Sequence, residues 1–142
     1  MADLVFNIAK GAFVEKFRDG AANGIVLLLI AADTDDAMRD TDTITALLAT
    51  AANEATDASY ARKTGLTGTI TVDDTNNRVD VDFPDQTFTA LAGAAITDLV
   101  TAYEEAAGDS TRIPLTLHDF VVTPDGSDVV AQFNAAGFGR AS

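Results

Sequence analysis

The chain has no cysteine and no tryptophan, one histidine, and only 9 lysines and arginines in 142 residues. Without cysteine there are no disulfides, thiolate metal sites or thiol nucleophiles, and the redox compartment leaves no mark on the sequence. The few cations stand against 22 aspartates and glutamates, for a formal net charge of −13. A basic face supplies most of the non-specific attraction to nucleic acid and to anionic membrane, so neither is expected as a partner. Long apolar runs are missing too. The greasiest stretch, Gly24 to Ala32 (GIVLLLIAA), falls far short of the roughly 20 residues that a membrane-spanning helix needs. The opening residues, MADLVFNIAKGAF, have no basic segment followed by a long apolar run, so no signal peptide is expected.

What the chain does have is aspartate, spread along its length rather than gathered in a tail, and strand-like alternation. The carboxylates read as a solvated face that keeps the protein soluble. The length suits one domain, and a folded chain of this size buries roughly two thirds of the surface its unfolded form exposes. The clearest local signal runs from Gly68 to Phe88. Ile70 and Val72 alternate with Thr69, Thr71 and Asp73; after Asp74 to Asn77 the alternation resumes as Val79, Val81 and Phe83 against Arg78, Asp80 and Asp82. This predicts a β-hairpin with one apolar and one carboxylate-rich face, closed by Pro84, which cannot donate to a ladder. Ile70, Val72, Val79, Val81 and Phe83 are expected to build the core.

Elsewhere, Val5, Ile8, Ala9, Ala12, Phe13 and Phe17 recur at spacings of three and four, which predicts an amphipathic helix over 4–17 with Asp3 as N-cap and Gly20 beyond its end. Ile25 to Ala31 reads as a strand covered on both faces. Asp33 to Thr43 reads as a polar surface loop, and Thr43 to Glu54 as a short helix or an irregular Ala/Thr/Leu segment. Ile113 to His118 and Val129 to Asn134 alternate as half-buried strands on either side of the turn Thr123 to Gly126. Ala94 to Ala107 carries both periods, with the pattern alone leaning to helix. Phe133 to Arg140 is too short to build structure of its own: it reads either as a last strand with a frayed end or as a segment lying on something else.

The chemistry-bearing patterns fail one by one. Asp73, Thr75 and Asn77 have the opening spacing of a calcium loop, but Arg78 stands where glycine is needed and Pro84 where the bidentate glutamate belongs. His118 and Asp119 are adjacent, which a strand places on opposite faces, and no nucleophile elbow surrounds any serine. No glycine-rich phosphate loop is present. No catalytic residue, metal site or cofactor is expected. Arg62 and Lys63 form the only adjacent basic pair, either guarding a strand edge or touching an acidic partner.

The order of segments is more telling: Asn7–Lys10 in the first helix, the strand Ile25 to Ile30, Tyr60–Lys63 (YARK), Asp73–Asp80 (DDTNNRVD) and Gln132–Gly137 (QFNAAG). Together they resemble a family of small virion structural proteins of siphovirus-type tailed bacteriophages, described as minor capsid or head decoration proteins. The chain departs from that pattern in its Ala/Thr-rich middle, Ala46 to Ala58, and in having Phe133 where related tails have tryptophan. The resemblance implies strand rather than helix for Ile96 to Tyr103. It implies a non-enzymatic protein on the outside of the capsid, bound to the major capsid protein and to itself, as a homotrimer. Contacts would come from the N-terminal region (Phe6, Lys10), the pair Arg62 and Lys63, and the C-terminal tail (Phe138, Arg140). A tail-associated or head-to-tail joining protein is the second expectation, and a module directed at cell-surface polysaccharide the third. The expected fold is mainly β, an antiparallel β-sandwich of about six or seven strands with one N-terminal amphipathic helix, in a single domain. Within 1–142 the helix takes about 4–17, the sandwich about 24–135 and the tail 136–142.

Overall fold

The strand β2 (Ile25–Asp33) is the spine of the molecule. Its residues Ile25 to Ile30 are all fully buried, as a continuous apolar run requires when both faces of a strand are covered. The computed structural model describes residues 4–6, 24–33, 35–50, 52–104, 108–134 and 139–141. On one side β2 pairs antiparallel with β8 (Ile96–Tyr103), from Ile25 opposite Tyr103 to Ile30 opposite Asp98. Beyond β8 lies β9 (Ile113–Val122), and beyond β9 the short β1 (Leu4–Val5), opposite Leu117 and Thr116.

The other edge of β2 is shared by two short strands. β3 (Ala52–Glu54) pairs with its C-terminal half and β4 (Lys63–Leu66) with its N-terminal half. At the junction the backbone of Leu29 still finds partners: its carbonyl accepts from the Ala55 N–H at 2.8 Å, and its N–H donates to the Tyr60 hydroxyl at 3.1 Å. A buried strand cannot leave those groups bare, so Tyr60 completes the ladder where the two strands part. The start of β2 is equally crowded. Gly24 (φ 80°) lies so close to Gly65 that a Cβ on it would sit 2.5 Å from the Gly65 Cα, so only glycine fits.

Between β2 and β3 the chain forms two helices, α1 (Asp35–Met38) and α2 (Ile44–Thr50). Thr43 caps α2, its Oγ1 accepting the Ala46 N–H at 3.2 Å. The next free N–H groups, of Ile44 and Thr45, donate to the carbonyls of Arg112 and Asp109 at 3.0 Å. Ile44 and Leu47 bury one face of α2, the helical of the two forms expected there, and buried Met38 and Thr41 make Asp33 to Thr43 more than the surface loop its polarity predicts. Thr41 hides its hydroxyl by donating to the Met38 carbonyl at 2.7 Å.

Among the described residues there are two smaller antiparallel sheets. One joins β7 (Gln86–Phe88) and β10 (Val129–Ala131); the other has the order β11 (Gly139–Ala141), β6 (Arg78–Asp82), β5 (Thr69–Asp73). Val81, Phe83, Phe88, Leu91 and Ala131 pack into the same core as β2 and β8, with the Phe83 and Phe133 rings 4.2 Å apart.

The mainly β, antiparallel architecture agrees with the sequence reading, including strand for Ile96–Tyr103. Three expectations need correction. Leu4 and Val5, placed at the head of the predicted helix, are a strand and Phe6 follows them outside any helix; the remainder of that prediction, 7–17, lies outside the described residues. The strand tally is also larger than predicted, because short pieces such as β3 and β7 carry too few residues for their alternation to register, and the strand read at Tyr60–Lys63 begins only at Lys63. The hairpin, finally, does not organise the core. Val81 and Phe83 are buried, but Ile70 and Val79 are only half-buried and Val72 is 66% exposed.

Candidate functional site

The residues singled out from the sequence as contacts separate in space. Phe6 is fully buried, its N–H donating to the Leu115 carbonyl at 3.3 Å, which leaves it no surface to offer a partner. Lys10 and Phe138 lie outside the described residues. Arg140 lies in β11, in register with Asp80 of β6. Lys63, on β4, holds its Nζ 5.0 Å from the centre of the Phe88 ring, a cation–π contact.

Arg62 is the hub of an internal network. Its Nε and Nη2 both donate to the Glu54 carboxylate at 2.6 Å, and its Nη1 and Nη2 donate to Asp109 at 2.6 and 2.9 Å. Such a two-sided fork is geometry that a guanidinium offers and an ammonium does not. Asp109 passes the contact on to Arg112 (2.8 Å), and Arg112 to Glu104 (2.5 Å). The second oxygen of Glu104 accepts the Gly65 N–H at 3.3 Å, and Glu54 accepts from the Tyr60 hydroxyl at 2.7 Å. The series ties β3, β4, the end of β8 and the 108–112 turn to the junction at Leu29.

The electrostatics follow from these contacts. Hydrogen bonds from Arg62 hold the Asp109 carboxyl below the usual carboxylate range, although partial burial opposes the shift. Hydrogen bonds to Glu54 raise Arg62 further above its already high value. Burial first, and the Glu54 charge second, push the Tyr60 phenol up, so it stays a neutral donor. Sequence reasoning found Arg62 but none of its partners. Arg62 and Asp109 are separated by 47 positions, and only the folding of the 108–112 turn beside the start of β4 brings them together.

His118 and Asp119 are divided as a strand requires. His118 is in register with Leu99, and its Nε2 lies 2.9 Å from the Thr116 hydroxyl, whereas Asp119 is in register with Asp98. Ser59 and Ser127 hydrogen-bond Asp57 and Asp125 in local turns rather than meeting the histidine. Among the described residues, no group of three side chains could hold a metal ion. Asp98 stands apart: it is 1% exposed in the middle of β8, and among the described residues neither of its oxygens has a hydrogen-bond donor.

The β5–β6 hairpin carries four aspartates, Asp73, Asp74, Asp80 and Asp82, around one arginine. Asp73 and Arg78 close it; Arg78 Nε lies 3.1 Å from Asp73 and 2.9 Å from Asp80. At the tip Asp73 accepts both from the Asn76 backbone N–H (3.1 Å) and from its side-chain amide (2.7 Å), and Asn77 takes the left-handed conformation at φ 51°. The wet face carries Thr69, Thr71, Asp73, Arg78, Asp80 and Asp82, and the apolar face Ile70, Val72, Val79 and Val81. Among the described residues, no strand lies on the outer edge of β5.

Comparison of the chain with protein-family models, curated proteins and solved structures returns no match.

Proposed function

We propose that the protein is a non-enzymatic structural component of a phage virion, a decoration or cement protein that binds the major capsid protein on the outside of the head. The order of segments from Asn7 to Gly137 motivates this reading. The observation that carries it is the use the fold makes of its scarce cations. Among the described residues, Arg62, Arg78 and Arg112 lie against carboxylates of their own chain and Lys63 lies over Phe88, so these four cations are engaged internally on a chain of net charge −13. Such a charge balance suits a protein packed at high copy number, with many weak, repeated contacts supplying avidity.

On this reading the small sheets close over the six-stranded one as a sandwich, and three copies sit around a three-fold position. Closed symmetry lets one patch serve every neighbour. A tail-associated or head-to-tail joining role is the second reading, because a small β-domain does not by itself select a location. Gold-labelled antibody against the chain, applied to purified particles of the phage that encodes it, tests both. Labelling of heads at high copy supports decoration, and labelling at the tail or neck moves the protein to the second role. Absence from the particle, checked by mass spectrometry, overturns both.

A further inference from the structure

The β5–β6 hairpin has one root in the core and, among the described residues, one edge with no strand paired to it. Val81, at the root, is 1% exposed, and Ile70 packs half-buried beside it. The apolar face then continues outward through half-buried Val79 to Val72, 66% exposed. Val72 is thus the uncovered end of an apolar stripe whose inner end is buried. The edge strand Thr69–Asp73, TITVD, is rich in strand-forming residues and has no proline, lysine or bulge to discourage pairing, the devices by which exposed edges are ordinarily protected. The hairpin's polar face carries half-buried Asp73, Asp80 and Asp82 with exposed Asp74 at the tip, and its one cation, Arg78, bridges Asp73 and Asp80, so the carboxylates outnumber it four to one.

We propose that the outer edge of β5 is a docking site for an extended segment of another protein, one that alternates apolar and basic residues. Added as a further strand, such a segment continues the period of the sheet. Its apolar side chains fall beside Ile70 and Val72, and its lysines or arginines fall on the face of Thr71, Asp73 and Asp80. Main-chain hydrogen bonds supply affinity, and the two faces supply selection. A second copy of this chain is the poorer occupant, because it brings the same carboxylates to the edge on a molecule that already carries −13. The inference rests on the hairpin alone and does not depend on the virion reading.

The test uses the full chain and two synthetic peptides, one of alternating valine and lysine and one of alternating valine and glutamate. Binding is followed by titration and by NMR amide hydrogen exchange. The expected result is saturable binding of the lysine peptide, slowed exchange confined to β5 amides, and no binding of the glutamate peptide. Val72→Lys, at an exposed position where folding is not at risk, is expected to weaken binding about tenfold or more, and Val72→Ile to preserve it. Three results would overturn the proposal. The lysine peptide binds equally well to Val72→Lys, which makes the attraction merely one of net charge; β5 amides are unprotected in the complex; or the chain associates with itself through this edge, lost in Val72→Lys, which makes a second copy the occupant.

Discussion

The Tyr60 hydroxyl accepts the N–H of Leu29 across the gap between β3 and β4, and in turn donates to Glu54. One side-chain oxygen thus joins the backbone of the central strand to the ionic network at its edge. Tyr60→Phe keeps the ring stacked on Phe88, 6.1 Å away, but leaves the Leu29 donor without its acceptor. The expected loss is roughly 1–3 kcal/mol, read as a lower urea midpoint at unchanged slope. An unchanged midpoint would mean that water replaces the hydroxyl at no cost.

Arg62→Met breaks the fork on Glu54 and Asp109, both partly buried. Stability at neutral pH is expected to fall, and the loss itself to depend on pH. Because Arg62 lowers the folded-state pKa of Asp109, the stability it contributes is present above the unfolded carboxylate value and is lost as the pH drops through the lower folded value. The gap between wild type and variant should therefore narrow below about pH 4. Urea titrations of both proteins at pH 7 and pH 3 check it, and a gap that widens on acidification contradicts the assignment.

Gly24→Ala places a Cβ against the Gly65 backbone at a positive φ. Neither backbone can yield without moving β2 or β4, so the cost is expected to exceed the roughly 1–2 kcal/mol of the left-handed conformation alone. Gly126, also at positive φ but with open space around it, is the control: Gly126→Ala should cost only the conformational part. Thermal melts of the two variants separate the contributions.

Asp98→Val is expected to stabilise the fold. The aspartate is buried with both oxygens undonated, opposite the apolar Ile30 on one side and the carboxylate Asp119 on the other. Replacing an unsatisfied buried polar group with a strand-forming apolar one removes the desolvation cost, on the order of 1–3 kcal/mol. A melting temperature that drops instead would show that the carboxylate serves the fold in a way its geometry does not suggest.

Alternation and apolar content, which depend only on neighbours in sequence, were enough to locate β2, the β5–β6 hairpin, β9 and the turn at Gly126. Scarcity of cations likewise made an acidic exterior unavoidable. Three-dimensional packing decided the rest. The Ile96–Tyr103 segment matches two periods, and its strand form follows from a place between β2 and β9, where both ladders need it. Which apolar face is buried is likewise a tertiary matter: Val72 and Val81 carry the same pattern, yet one is 66% exposed and the other 1%. The same holds for Arg62, whose charge is plain in the sequence and whose partners, Glu54 on β3 and Asp109 in the 108–112 turn, meet it only when the fold brings these segments together. Periodicity states that a face is apolar, and only long-range contacts determine what covers it.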